Sequence, residues 1–392
     1  MSVLPNLKNR RNILKKLLHI DIDLSKRIYG LDILRALAIL FVIYGHGLPM
    51  LKEQFNIRSL SFLVLDGVSI FFVLSGFLIG QILIKRIITN GGGFKELRQF
   101  WIRRWFRTLP NYFLILIVVT VLGWYYWDVQ IKDMFSFVLF LQNFASPHPH
   151  FFQEAWSLAV EEWFYILFPF ASFAIFRSET SLKKWFPWLI ITFIALSIGV
   201  RFYRYNVMEI ASLKDYDHFF RKQVITRFDS LMMGVLGAYL STFFSHGWLS
   251  KPRLKMWLGL ILIIFNQLCF HYATEIFEGN YFYHTVLSFL VFATGVFLCL
   301  PILTSVKRGK GKLARGITLV SLVSYSMYLI HFTLTKGFII PLTLRGELAE
   351  HTLGLDVLRV VIYLFVSLFG SILLYKYFEI PTTKLRDRFG KK

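Results

Sequence analysis

Apolar residues are gathered into ten long blocks separated by shorter polar stretches. The blocks cover residues 30–50, 60–84, 110–127, 158–176, 185–204, 228–246, 256–272, 283–303, 317–338 and 357–375. Each approaches the ~20 residues a helix needs to cross the hydrocarbon core of a bilayer. The pattern therefore predicts an all-α polytopic membrane protein, a bundle of about ten transmembrane helices. The stretch 134–145 is apolar but too short to span, and is expected as an interfacial or re-entrant piece. The longest polar connections are expected at 85–108, 205–226 and 339–356. No block is left over for a soluble domain. The organisation expected is a basic N-terminal segment (1–29), one membrane domain (30–378) and a short C-terminal tail (379–392).

Composition sharpens this picture. The chain has 392 residues, 56% hydrophobic and only 17% charged, yet its formal net charge is +21. An ordinary soluble domain carries about 25% charged residues, and a nucleic-acid binder this basic would be polar overall. Both are excluded, and no nucleic-acid partner is expected. The 42 Phe against 11 Pro exclude disorder. The cysteines, Cys269 and Cys299, both sit in apolar blocks and read as packing residues, not as a disulfide or metal site. No apolar h-region precedes the first block, so a cleaved signal peptide is not expected. Leu14, Leu17 and Leu18, interleaved with Lys15 and Lys16, predict a short helix lying on the membrane surface.

The basic residues orient the bundle. With a cytoplasmic N-terminus, the inner segments hold 31 of the 44 Lys and Arg. The positive-inside rule then places both termini in the cytoplasm, which requires an even number of spans.

A charge at membrane depth costs several kcal/mol, so ionisable residues inside the blocks are functional candidates. The first block carries Asp32, Arg35 and His46. Eleven residues make three helical turns plus about 20°, so Arg35 and His46 share one face about 16 Å apart along the axis. Asp32, three residues before Arg35, can pair with it. Asp66 falls near the outer end of the second block, and Trp156 opens the fourth ahead of Glu161 and Glu162. Adjacent glutamates point about 100° apart, so at most one faces a shared cavity squarely. Arg227 and Asp229 open the sixth block, where an interfacial ion pair is the plain alternative to a role in binding. The ninth carries Tyr325 and His331. By depth, His46, Asp66, Glu161, Glu162, Asp229 and His331 fall in the outer half, whereas Arg35, Arg103, Arg104 and Arg107 fall on the inner side. Such a division suits a substrate with a polyanionic end held by Arg, which binds phosphate bidentately, and a reactive end near a His and a carboxylate. For Arg103, Arg104 and Arg107 the alternative is ordinary positive-inside decoration.

At these residues the sequence resembles the integral-membrane acyltransferase 3 family. The matching pieces run in order along the chain: Arg35 followed after ten residues by His46; Asp66 to Ser75 as DGVSIFFVLS; Arg103 to Pro110 as RRWFRTLP; Gln142-Asn143; Trp156 to Pro169 as WSLAVEEWFYILFP; Arg227-Phe-Asp229-Ser; Ser324 to His331 as SYSMYLIH; and Phe378 to Pro381 as FEIP. The resemblance implies acyl transfer from cytoplasmic acyl-CoA, usually acetyl-CoA, to a hydroxyl of a surface or exported glycan or glycoside, in the plasma (bacterial inner) membrane. It implies that Arg35 and His46 are essential and that Arg103, Arg104 and Arg107 serve the nucleotide. Some family members carry a further extracytoplasmic domain; with the sequence ending soon after Pro381, a likeness to the stand-alone members is the expectation.

The mechanism expected places the acyl-CoA phosphates on Arg103, Arg104, Arg107 and Arg35, with the pantetheine arm reaching outward to His46. His46 then serves as general base on the acceptor hydroxyl, with Asp66 or Glu161 orienting its ring, or as a transient acyl-imidazole nucleophile. Asp32, Trp156, Arg227, Asp229, Tyr325 and His331 are the expected acceptor-binding residues. A transporter of an anionic solute or lipid is the rival reading; it too would want a polar path through the bundle.

Overall fold

The computed structural model describes residues 18–24, 27–55, 60–127, 130, 134–272, 280–344 and 350–389. The surface helix expected at Leu14–Leu18 lies almost wholly outside the described residues. Among those described there is no strand. All ten apolar blocks are helical: α1 (Tyr29–Gly47), α2 (Gly67–Asn90), α3 (Phe94–Trp127), α4 (Ala155–Ile175), α5 (Glu179–Val207), α6 (Phe228–Phe243), α7 (Pro252–His271), α8 (Tyr283–Ser305), α9 (Gly311–Thr343) and α10 (Leu353–Arg386). Nine are long and apolar enough to cross a membrane, and α6, with 16 residues, is the short one. The protein is a polytopic all-α membrane bundle.

Two boundaries differ from the sequence pattern for local reasons. The second helix starts at Gly67 because Asp66 caps it, its carboxylate accepting from the Ser69 amide at 3.3 Å and the Ser69 hydroxyl at 2.7 Å. It runs on to Asn90, where Gly91 at φ 69° ends it. The expected polar connection 85–108 is therefore only residues 91–93, and the charged residues beyond it belong to α3. With 34 residues, α3 is about 51 Å long at 1.5 Å per residue. It outruns the bilayer and carries its arginines into the bundle on a rigid helix. The expected stretch 134–145 contains a five-residue helix, Met134–Val138, followed by irregular chain. That chain is anchored by Asn143, whose amide donates to the carbonyls of Trp156 (3.0 Å) and Lys222 (2.6 Å).

The centre of the bundle is the packing of α2 on α6, with α1 and α9 closing one side. The α2–α6 approach depends on glycine. A Cβ at Gly76 would stand 1.8 Å from the Leu231 carbonyl oxygen, and one at Gly234 would stand 1.9 Å from that of Val73. Small residues let helix backbones touch where lipid offers no hydrophobic drive for association. By contrast, α5 and α7 lie at the periphery and expose Trp188, Leu196, Ile261 and Ile264. The helix α10 continues past the expected boundary at 378, and Glu379 is buried within the bundle, accepting from Asn111 (2.9 Å) and Ser326 (2.7 Å).

Either Gly76→Ala or Gly234→Ala should destabilise the bundle by about 1–3 kcal/mol through overpacking. The thermal midpoint of the detergent-solubilised protein should fall clearly. Gly199→Ala, where an added Cβ meets nothing within 4 Å, should leave it unchanged or raise it slightly. Fluorescence-detected size-exclusion after heating makes the comparison.

Candidate functional site

Two cavities open along the face that Arg35 and His46 share. The first, of about 120 Å³, is lined by Arg35, Ser75, Arg104, Arg107, Glu161, Ser321, Tyr325 and Tyr328, among others. The second, of about 410 Å³, is lined by His46, Asp66, Ser69, Tyr216, Asp217, Arg221, Asn266, Gln267 and a set of apolar side chains. Val68 borders both. The α1 face predicted from spacing thus links two differently equipped chambers, one at each of its polar residues.

At the Arg35 end, ion pairing sets the geometry. Asp32 is 2% exposed and its carboxylate accepts from Arg27 at 2.6 and 2.7 Å and from the Ser321 hydroxyl at 2.9 Å. Arg35 lies 3.5 Å from the same carboxylate and donates to Ser321 at 3.2 Å. Asp32 is thus engaged in holding Arg27 and Arg35, and it lines neither cavity. Across the chamber Glu161 accepts from Ser75 (2.8 Å) and Tyr165 (2.6 Å) and pairs with Arg104 (3.4 Å), whose guanidinium also donates to the Tyr165 hydroxyl. Arg107 lines the same chamber and keeps accessible surface, with no hydrogen-bond partner among the described residues. Tyr325 also lines it, its hydroxyl donating to the Thr108 carbonyl at 2.7 Å. Arg103, on the adjacent arc of α3, is exposed and outside the lining.

The expected separation of basic from acidic groups by depth does not hold. Glu161 belongs with Arg104, because the long α3 helix brings its arginines to the level of the α4 glutamates. Of the two glutamates only Glu161 faces a cavity; Glu162 is buried and accepts from the Thr108 hydroxyl at 3.0 Å.

At the other end His46 meets a second imidazole. Its Nδ1 lies 2.9 Å from Nε2 of His331, and the Phe332 ring packs against it at 4.6 Å between centroids. Lys336 donates to the His46 carbonyl at 3.0 Å. The expected carboxylate partner is absent from this hydrogen bond: Asp66 is spent on Ser69 and on Arg221 at 3.5 Å, and Glu161 lies in the other chamber.

The wall facing His46 comes from the connection between α5 and α6, which sequence reasoning passed over as a polar loop. Arg221 bridges Asp66 and Asp217, the latter at 3.0 Å, and Asp217 also pairs with Lys222 at 2.5 Å. Burial pushes the Asp217 carboxyl up, but Arg221 and Lys222 outweigh it and hold the carboxyl below the usual range. The four-residue step from Asp217 to Arg221 was the one signal that could have marked this pair.

Of the six expected acceptor-binding residues only Tyr325 lines either cavity; Asp32 and His331 do not, nor do Trp156, Arg227 and Asp229. Trp156 is buried under the Arg221 guanidinium, 5.0 Å from its ring centroid. Arg227 is fully buried; it donates to Ser69 at 2.6 Å and lies over the Phe289 ring. Asp229 does not pair with Arg227. Its partner is Arg201 of α5, at 2.7 Å, and both side chains are wholly buried. Arg201 also donates to the Thr226 carbonyl at 2.6 Å, which ties α5 to the start of α6 behind the His46 wall.

The chain belongs to the acyltransferase 3 family: the family's acyltransferase domain matches residues 28–376. Within that class it is similar to a Staphylococcus aureus (strain COL) protein named "Putative O-acetyltransferase", at 27% identity over 91% of this chain. The chain spans only 57% of that relative's length. It is also similar to the peptidoglycan O-acetyltransferase OatA of Listeria monocytogenes, 32% identical over 37% of this chain and 24% of OatA. No solved structure matches it significantly.

Removing one member of the Arg201–Asp229 pair strands a buried charge, at a cost of about 3–5 kcal/mol. Asp229→Ala should therefore lower the thermal midpoint sharply. The double variant Arg201→Met with Asp229→Leu should recover most of the loss, which would mark the pair as structural.

Proposed function

We propose that the protein is a membrane O-acyltransferase that moves an acetyl group from acetyl-CoA to a hydroxyl of a surface or exported glycan or glycoside. The observation that carries this reading is the pair of cavities along one helix face, one arginine-lined and one bearing a histidine, in a chain of the acyltransferase 3 family. The names of the relatives favour acetyl as the acyl group and a cell-wall polymer as the acceptor.

In this reading the Arg35 end faces the cytoplasm, as the excess of Lys and Arg on that side supports. The diphosphate of acetyl-CoA docks at the arginine chamber. Arg107, accessible and without a hydrogen-bond partner among the described residues, meets it first, with Arg35 and Arg104 behind. The pantetheine arm passes Val68 and presents the thioester near His46. The acceptor occupies the larger cavity, where His46 takes the proton from its hydroxyl as the oxygen attacks the thioester carbonyl. Collapse of the tetrahedral intermediate breaks the carbon–sulfur bond, the leaving CoA thiolate takes the proton back from the His46 imidazolium, and the O-acetyl ester remains. Asp66, Arg221 and Asp217 shape the acceptor wall.

Purified protein in lipid nanodiscs, given labelled acetyl-CoA and cell-wall glycan fragments, should transfer label to the fragments. His46→Ala should lower transfer at least about 100-fold while leaving the protein folded; full transfer by that variant would refute the role. A transporter would move label across the bilayer without consuming the thioester.

The arginines separate by geometry. Arg107→Glu should raise the KM for acetyl-CoA about tenfold, the worth of one contact of ~1.4 kcal/mol, and Arg103→Glu less than twofold. Initial-rate kinetics at fixed acceptor would read both.

A further inference from the structure

The bond between His46 and His331 has a direction, and the surroundings of His331 determine it. Nδ1 of His331 lies 2.7 Å from the backbone carbonyl of Tyr328. A carbonyl can only accept, so that nitrogen carries a proton. His331 is fully buried, and the charged side chain bonded to this pair among the described residues is Lys336, a cation on the His46 carbonyl. A second positive charge on the imidazole is therefore disfavoured, and the ring is neutral with an unprotonated Nε2. Nε2 is the atom facing His46, so the 2.9 Å bond runs from His46 Nδ1–H to His331 Nε2. Which nitrogen of a histidine holds the proton is set by the bond its other nitrogen makes.

We infer that His331 is a positioning residue that holds His46 in the tautomer with Nδ1 protonated, leaving Nε2 as the basic nitrogen available to the cavity His46 lines. The inference rests on the proposed role of His46 as base. It assigns to a neutral imidazole the orienting task that a buried carboxylate performs in a Ser-His-Asp triad. A carboxylate would also stabilise an imidazolium electrostatically; a neutral partner fixes tautomer and ring orientation without adding a charge to a membrane-buried site.

The local backbone is built to hold His331 in place. The helix α9 widens to a π-helix over His331–Ile339, a distortion frequent at functional sites. Glu154, 3% exposed, secures the widened turn: its carboxylate accepts from the Thr333 amide at 3.1 and 3.3 Å and from the Thr333 hydroxyl at 2.5 Å. The Glu154 carbonyl in turn accepts from the Tyr328 hydroxyl at 3.1 Å. Glu154 thus grips the helix on both sides of His331, two residues beyond it and three before it. Tyr328 also borders the arginine chamber, so the residue whose carbonyl orients His331 touches both halves of the site.

The first test reads the tautomer directly. Nitrogen-15 solid-state NMR of the histidine-labelled protein in bilayers, with His46 signals assigned by their loss in His46→Ala, should show His46 with a protonated Nδ1 and an unprotonated Nε2. The reverse pattern, or a doubly protonated ring, would overturn the inference. This readout needs no turnover, so it stands apart from whether His46 proves to be the base.

The second test is kinetic. An amide carries an acceptor and a donor side by side, as the neutral imidazole does. His331→Gln should therefore keep kcat within about tenfold of wild type, whereas His331→Leu should lower it about 100-fold with the KM for acetyl-CoA changed less than twofold. Equal losses in the two variants, or a fall confined to KM, would count against a positioning role. If His331→Leu fails to fold, the wild-type spectrum and the glutamine variant still decide the matter.

Discussion

A charge or an unpaired polar group inside a bilayer costs too much to be left alone, and the architecture of this protein follows from how it meets that constraint. Asp32 is shared by Arg27 and Arg35, Glu161 is shared by Arg104, Ser75 and Tyr165, and the wholly buried Arg201 and Asp229 neutralise one another. Each arrangement ties separate helices together: α1 to α9 through Ser321, α3 to α2 and α4 through Glu161, and α5 to α6 through Asp229. Satisfying the charges and assembling the bundle are one process. Buried pairs contribute little net stability, but breaking one is expensive, so they specify an arrangement more than they strengthen it.

The two cavities meet the same constraint by different means. In the arginine chamber the charges stay and are partly compensated by Glu161 and Asp32, with Arg107 left accessible. That balance suits a site that takes up an anion and releases it. Around His46 no carboxylate joins the chain of hydrogen bonds formed by two imidazoles and a carbonyl, Asp66 being diverted to Arg221. In the proposed role of His46, a base that cycles between neutral and protonated forms is better served by a partner that fixes its geometry than by one that locks it in the charged state. The separation, with Val68 between, lets one helix face carry both kinds of chemistry.

Much of this was legible in the sequence because the signals are one-dimensional. Helix count follows from apolar length. The common face of Arg35 and His46 follows from helical period, and the fact that only one of Glu161 and Glu162 faces a cavity follows from a 100° step. The partners were not legible. Asp66 looked available to His46 by depth, yet its place ahead of Gly67 commits it to capping α2 and to Arg221. Asp229 looked paired with Arg227, its near neighbour in sequence, yet its partner is Arg201 of the preceding helix. Arg103, Arg104 and Arg107 looked alike, and the rotation of one long helix sets them apart.

The sequence by itself determined the class of protein, its membrane helices and the helix face along which its two cavities open, because hydropathy and helical period are local properties of the chain. Only the tertiary structure decided which groups touch: the His46–His331 pair, 285 positions apart, the Arg201–Asp229 bond behind the site and the Asp217–Arg221 wall in front of it. A buried polar group takes whichever partner the packing of whole helices brings within about 3 Å, and no local pattern encodes that choice.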